Sequence, residues 1–222
     1  MSYILNIETA TKNCSVALAK EGKTMLCKEI AEEGYSHAER LHVFIEEIIK
    51  EAGITFQDLS AIAVSQGPGS YTGLRIGVSA AKGLCFALDI PLIAVDTLQV
   101  LASQVTVFNG LIIPMLDARR MEVYSAVFTP NFEKIRAVQA EIITENSFED
   151  LEKTLYFVGD CAEKCKPVLT KDNFIFLEEI KYPSAKEMSF LSFEKHKKND
   201  TVDVAYFEPY YLKNFMMTAS KK

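Results

Sequence analysis

The stretch Gln66-Gly67-Pro68-Gly69-Ser70-Tyr71-Thr72-Gly73-Leu74-Arg75-Ile76-Gly77 constrains the fold of this chain more than any other. It follows an apolar strand pattern, Ala61-Ile62-Ala63-Val64, and opens into the small-residue, proline-free run from Val78 to Leu88. A strand, a glycine-rich turn and a helix are implied, the unit at which α/β folds place ligands. Glycine removes the Cβ barrier to positive φ and lets the backbone approach another group, and the helix start behind it offers unpaired N–H donors. Two readings are open. Gly67, Gly69, Ser70, Tyr71, Thr72, Gly73 and Arg75 form either a ligand loop or a tight turn that lets the helix pack closely. The spacing matches neither common phosphate motif: a Walker loop needs Lys where Leu74 follows Gly73, and a dinucleotide fingerprint needs a third glycine where Thr72 stands.

Three strand patterns precede the loop, Tyr3 to Glu8, Cys14 to Lys20 and Thr24 to Ile30, and short turn-rich segments between them imply a meander. Ser36-His37-Ala38-Glu39 has capping-box spacing and leads into Leu41, Phe44, Ile45, Ile48, Ile49 and Ala52 on one helical face, ended by Gly53. A strand at 61–65, a helix at 72–88, a strand from Pro91 to Val95 and a helix near 97–106 complete the order β-β-β-α-β-α-β-α. After Asn109-Gly110 the order starts again. Strands are expected from Leu111 to Leu116, Glu122 to Phe128 and Ile135 to Ile143, followed by a short helix capped by Asn146 with Glu149. A strand from Leu155 to Val158, a helix near 161–169, a strand from Phe174 to Leu177 and a helix capped by Ser184 with Glu187 close the series. The expectation is a duplicated ribonuclease-H-like α/β fold, with lobes at 1–107 and 108–222 and a cleft between them.

The helix behind the glycine loop is apolar around most of its circumference. Leu74, Val78, Ala81, Cys85 and Leu88 form one flank, Ile76, Ala80, Gly83 and Ala87 lie towards the other, and Arg75, Ser79 and Lys82 make the polar stripe. Such a helix is buried on two sides. One side packs on its own sheet; the small residues of the other admit a second helix, from this chain or from a partner. The candidate interface is Leu74, Ile76, Val78 and Ala80, with Leu41 and Ile45 from the preceding helix.

At 222 residues and 49% apolar, the chain can build a substantial core. No apolar run approaches the ~20 residues of a membrane span, and Met1-Ser2-Tyr3-Ile4 leads straight into a strand pattern, so a cytoplasmic protein is expected. The five cysteines, at 14, 27, 85, 161 and 165, contain no C-x-x-C pair and read as buried thiols. A formal charge of −6 leaves no electrostatic footprint for independent nucleic-acid binding, so any RNA contact falls mostly to a partner.

The glycine loop, the opening Ile4-Leu5-Asn6-Ile7-Glu8-Thr9-Ala10-Thr11 and the tripeptide Asp117-Ala118-Arg119 closely resemble the TsaB (YeaZ) family. These are non-catalytic subunits of the bacterial machinery that makes threonylcarbamoyladenosine in tRNA. Pro209-Tyr210-Tyr211-Leu212-Lys213 is similar to the family's P-x-Y-L-R. The resemblance implies the actin-like, sugar-kinase-like (ASKHA) ATPase fold. It also implies a homodimer that pairs with the catalytic paralogue TsaD and with the ATPase TsaE, reaching tRNA only indirectly, through the complex.

The TsaD paralogue carries a metal-binding H-x-x-x-H; Thr97 and Leu101 stand at those positions here, and leucine cannot ligate a metal. Actin-like ATPases use a glycine in the D-x-G-T-type turn where this chain has Ala10. No metal, cofactor or catalytic residue is therefore assigned. Glu8, Asp117 and Arg119 are the candidate cleft residues; Asp117 and Arg119 either ligate something there or tie a strand end to a loop. The alternative function is a stand-alone enzyme of the same fold, a small-molecule kinase or a metallopeptidase-like protein.

Overall fold

The computed structural model describes residues 1–31 and 37–212. The N-terminal half builds a five-stranded sheet from β1 (Tyr3–Glu8), β2 (Cys14–Lys20), β3 (Lys23–Ile30), β4 (Leu59–Gly67) and β5 (Leu92–Asp96), in the order β3-β2-β1-β4-β5. β1 to β3 are an antiparallel meander, and β4 and β5 add in parallel. The C-terminal half repeats this with β6 (Leu111–Asp117), β7 (Glu122–Phe128), β8 (Lys134–Ile142), β9 (Leu155–Val158) and β10 (Phe174–Phe176), in the order β10-β9-β6-β7-β8. The two orders correspond strand for strand. Three antiparallel strands followed by two parallel ones, used twice, therefore give two mixed sheets of one topology, each with its parallel strands linked through crossovers.

Helices cover both faces of the first sheet. α1 (His37–Glu51) and α2 (Tyr71–Leu88) bury Leu41, Ile45, Ile48, Val78, Ala81 and Cys85 against Leu5, Ile7, Val16 and Val64. The Ser36 cap lies outside the described residues. Gly53 ends α1 at φ +67°, its N–H donating to Lys50 O and that of Ile54 to Ile49 O, a left-handed cap that glycine adopts without strain. The opposite face is covered by α5 (Ala185–Lys197), which returns from the far end of the sequence to pack Ala185 and Met188 on Ile4, Ala17, Ile93 and Val95. α3 (Thr97–Ala102) lies beside α5 and places Leu98, Leu101 and Ala102 on Ile112, Ala126 and Phe128 of the second sheet. Asp96 caps α3 through Leu98 and Gln99 N–H and pairs with Lys134 of β8, which links the end of the first sheet to the second.

Three expected helices differ. Residues 145–150, where Asn146 and Glu149 predict a capped helix, form turns. Phe148 there takes φ +62° to bury its ring in the second core, and the Ser147 hydroxyl instead accepts from Thr144 N–H. The helix expected near 161–169 is the single turn α4 (Ala162–Cys165): Lys166 still has helical φ −53°, ψ −40°, but Pro167 has no N–H to continue the ladder. α3 stops at Ala102 rather than near 106, and the Ser103 hydroxyl donates to the Val100 carbonyl.

Candidate functional site

The glycine loop lies directly on the turn between β1 and β2. Ser70 N–H donates to the Ala10 carbonyl at 2.7 Å, Thr9 Oγ1 donates to the Gly73 carbonyl at 2.7 Å, and Gly67 N–H donates to Thr97 Oγ1 at 3.1 Å. Ser70 also caps α2, its hydroxyl accepting from Gly73 N–H. Gly67 sits at φ +111°, and a Cβ on Gly73 would fall inside the Thr9 carbonyl oxygen. The loop's amides at 67, 70 and 73 are thus engaged by the chain itself. Of the two readings of the loop, close packing of the helix accounts for Gly67, Gly69, Ser70 and Gly73 without a ligand. Thr72 is exposed, and Tyr71 and Arg75 serve a different contact.

Beneath this turn lies Glu8, fully buried rather than lining an open cleft. Its carboxyl receives Ala10 N–H at 2.7 Å and the Ser65 hydroxyl. Burial raises its pKa to about 7, although these hydrogen bonds pull the other way. Thr97, at a position of the paralogue's metal ligand, is buried and bonded to Gly67, and Leu101 is in the apolar layer against the second sheet. Among the described residues, no three His, Cys, Asp or Glu side chains gather as a metal site.

The polar stripe of α2 holds the segment 205–211. Lys82 Nζ donates to the carbonyls of Ala205 and Phe207, both at 3.0 Å, and Arg75 Nε donates to Tyr211 Oη at 3.3 Å. The Arg75 guanidinium also stacks on Tyr71, 4.0 Å from the ring centroid, and Tyr71 meets Tyr211 at 5.0 Å. Tyr210 N–H donates to Gln66 O at 2.7 Å, so residues 202–211 form a strap across the helix start. Sequence reasoning missed this strap; the unexplained Arg75 and Lys82, two turns apart on an apolar helix, were its signal.

The six candidate interface residues divide. Leu41, Ile45, Leu74 and Val78 lie in the interior, at most 4% exposed, and fasten α1 and α2 to their own sheet. The 3.6-residue period places them on one face correctly, but that face is the inner one. Ile76 and Ala80 are half-buried on the outer side. They line a groove of about 460 Å³ between α1 and α2 with Ala38, His42, Gly83 and Leu84. Among the described residues nothing lies within 4 Å of the place a Cβ on Gly83 would occupy, and Phe86, one turn on, is 85% exposed.

Asp117 and Arg119 sit in an exposed turn between β6 and β7. The Asp117 carboxylate accepts Arg119 N–H at 3.0 Å and pairs with Lys164, not with the Arg119 guanidinium. Its own N–H donates to Asp160 at 2.9 Å. The aspartate therefore ties a strand end to its loop, with Arg119 held at φ +77°.

Residues 29–215 match the family model of TsaD, tRNA N6-adenosine threonylcarbamoyltransferase. The chain is 32% identical to the tRNA threonylcarbamoyladenosine biosynthesis protein TsaB of Escherichia coli (strain K12), over 95% of this chain and 94% of that one. The solved structure of YeaZ from Pseudomonas aeruginosa superposes with a TM-score of 0.81 at 27% identity, covering 96% of this chain and 100% of that one. An activator of 2-hydroxyisocaproyl-CoA dehydratase from Clostridium difficile shares the fold alone, with a TM-score of 0.51 at 9% identity over 89% and 97% of the two chains. A loop packed on the β1–β2 turn, two sheets of one topology and a full-length match agree, and the chain belongs to the TsaB (YeaZ) family.

Proposed function

We propose that this chain is a non-catalytic scaffold subunit in tRNA threonylcarbamoyladenosine biosynthesis, acting in the cytoplasm. It pairs through the α1–α2 groove, with itself when alone and with a TsaD-like catalytic paralogue in the working complex, which also recruits a TsaE-like ATPase. The observation that carries this reading is Gly83. A glycine within a helix costs roughly 0.5–1 kcal/mol relative to alanine, and among the described residues none approaches Gly83 closely enough to require it. With Ala80 and Ile76 beside it, the missing side chain admits the backbone of a second helix. The engaged amides of the glycine loop and the engaged hydroxyl of Thr97 favour a scaffold over a stand-alone kinase or metallopeptidase. Contact with tRNA is then made mainly through the partner.

The test is reconstitution with the TsaD-like and TsaE-like proteins and tRNA. An Ala80→Arg variant, folded by circular dichroism, is expected to lose co-elution with the TsaD-like protein and to lose tRNA modification together. If it co-elutes and supports modification as the parent does, the groove is not the interface. If the chain alone modifies tRNA, or hydrolyses ATP in a way that Asp117→Ala abolishes, it is an enzyme.

A further inference from the structure

Cys161 and Cys165 stand at the two ends of a single helical turn. Cys161 is the N-cap of α4 and Cys165 its last residue, and Cys165 N–H donates to the Cys161 carbonyl at 3.2 Å. Both side chains are buried in the second apolar core. Helical Cα atoms four residues apart lie about 6 Å from each other, within the ~4.4–6.8 Å that a disulfide spans. Their Cβ atoms, however, lie roughly 5–6 Å apart and a disulfide draws them to about 4 Å. Closing the bond requires α4 to tighten. The turn can do so: it is four residues long, starts from a Cys161 at φ −109°, ψ 4°, and is followed by Lys166-Pro167.

Between the two cysteines in sequence stands Lys164. Its ammonium pairs with the Asp117 carboxylate and donates to the carbonyls of Arg120, at 2.6 Å, and Glu122, at 3.4 Å. The β6–β7 turn, with Arg119 and Arg120 both at positive φ, is therefore held by the residue that the cysteines bracket.

We propose that Cys161 and Cys165 are a dithiol–disulfide modification site, closed by a low-molecular-weight disulfide of the glutathione class, and that closure deforms α4 and withdraws Lys164 from the 117–122 turn. The Cys165 thiolate attacks one sulfur of the oxidant and releases one thiolate. Cys161 then gives up its proton and attacks the Cys165 sulfur of the mixed disulfide, releasing the second thiolate. Two protein thiols are oxidised to one disulfide, one disulfide is reduced to two small thiols, and the protons pass to the released thiolates. The interaction between the two thiols and the nearby Lys164 lower the Cys165 pKa, while the same interaction and burial hold Cys161 far above the ordinary thiol range, so Cys165 is the first to react; burial pushes Cys14 and Cys27 up to about 11 and Cys85 to about 12. Both thiols are buried in the closed turn, so reaction proceeds through local opening of α4.

The experiment equilibrates the full chain with mixtures of reduced and oxidised glutathione, quenches with acid, alkylates and maps the peptides. The oxidised protein is expected to lose the mass of two hydrogen atoms and two of its five alkylatable thiols. The tryptic peptide ending at Lys164 should be joined to the one starting at Cys165. Cys161→Ser and Cys165→Ser should each abolish this. Limited trypsin cleavage after Arg119 and Arg120 in the native protein should become several-fold faster on oxidation of the parent and stay unchanged in Cys161→Ser. Circular dichroism confirms that the fold persists. If both thiols stay alkylatable at the highest ratio of oxidised glutathione, if glutathione remains on Cys165, or if other cysteines react instead, the site does not exist. If the disulfide forms and the cleavage rate does not move, the link to Lys164 is wrong.

Discussion

Thr9 and Gly73 are 64 residues apart in sequence, yet the Thr9 hydroxyl donates to the Gly73 carbonyl at 2.7 Å and the Thr9 carbonyl fills the space a Gly73 side chain would need. This contact seats the first turn of α2 on the end of β1. The obstacle to a side chain is backbone, which cannot swing aside. Gly73→Ala is expected to destabilise the chain by about 3 kcal/mol, the upper part of the range for overpacking, as a lower midpoint in urea unfolding. Thr9→Val, which removes the hydrogen bond and keeps the shape, should cost about 1 kcal/mol.

Gly83 on the same helix should behave oppositely. Its missing Cβ faces open space, so Gly83→Ala is expected to stabilise the isolated chain by roughly 0.5–1 kcal/mol. The same variant should weaken pairing with the TsaD-like partner, measured by isothermal titration. A variant both more stable and equally well paired would remove the reason for placing a helix there.

Glu8 makes stability depend on pH. Its carboxyl is raised from 4.5 to about 7 in the folded chain, chiefly by burial. Below about pH 4.5 both folded and unfolded chains hold the proton. Between 4.5 and 7 the unfolded chain ionises first, so this group's contribution falls as pH rises, by about 3 kcal/mol, and levels off above 7. Glu8→Gln keeps an acceptor for Ala10 N–H and turns the Ser65 bond round, its NH2 donating to the Ser65 hydroxyl, and should flatten that part of the curve in urea titrations across pH 5 to 8.

Lys82 fastens the strap that crosses α2. Lys82→Met keeps the aliphatic stem and deletes the bonds to the Ala205 and Phe207 carbonyls. The Tyr210 amide, bonded to Gln66 O, is expected to exchange hydrogen roughly tenfold faster, about 1.4 kcal/mol, while amides inside β4 keep their protection. Equal acceleration in both would mean global loosening rather than release of the strap.

Much of this fold is written locally. The strand–turn–helix unit at 61–88, the two meanders and the Ser184 cap of α5 rest on alternation, turn residues and hydroxyl spacing, and each is found where those signals place it. Phe148 shows the limit. Asn146 and Glu149 have helix-cap spacing, but burying an aromatic ring in the second core outweighs a single capped turn, and the backbone turns left-handed to allow it.

By itself the sequence determined the order of strands, their repetition in the second half and the two-sided apolar character of α2, because these depend on residues a few positions apart. Tertiary structure decided which side of α2 faces inward. Leu74 and Ile76 are equally apolar on paper, and only the position of the sheet makes one interior and the other groove. It also decided that α5 returns to cover the first sheet, that residues 202–211 strap α2 through Arg75 and Lys82, and that Asp117 meets Lys164 instead of Arg119. Such pairings join segments far apart in the chain, and no local period encodes them; they are fixed by which apolar surfaces remain to be covered once the two sheets have formed.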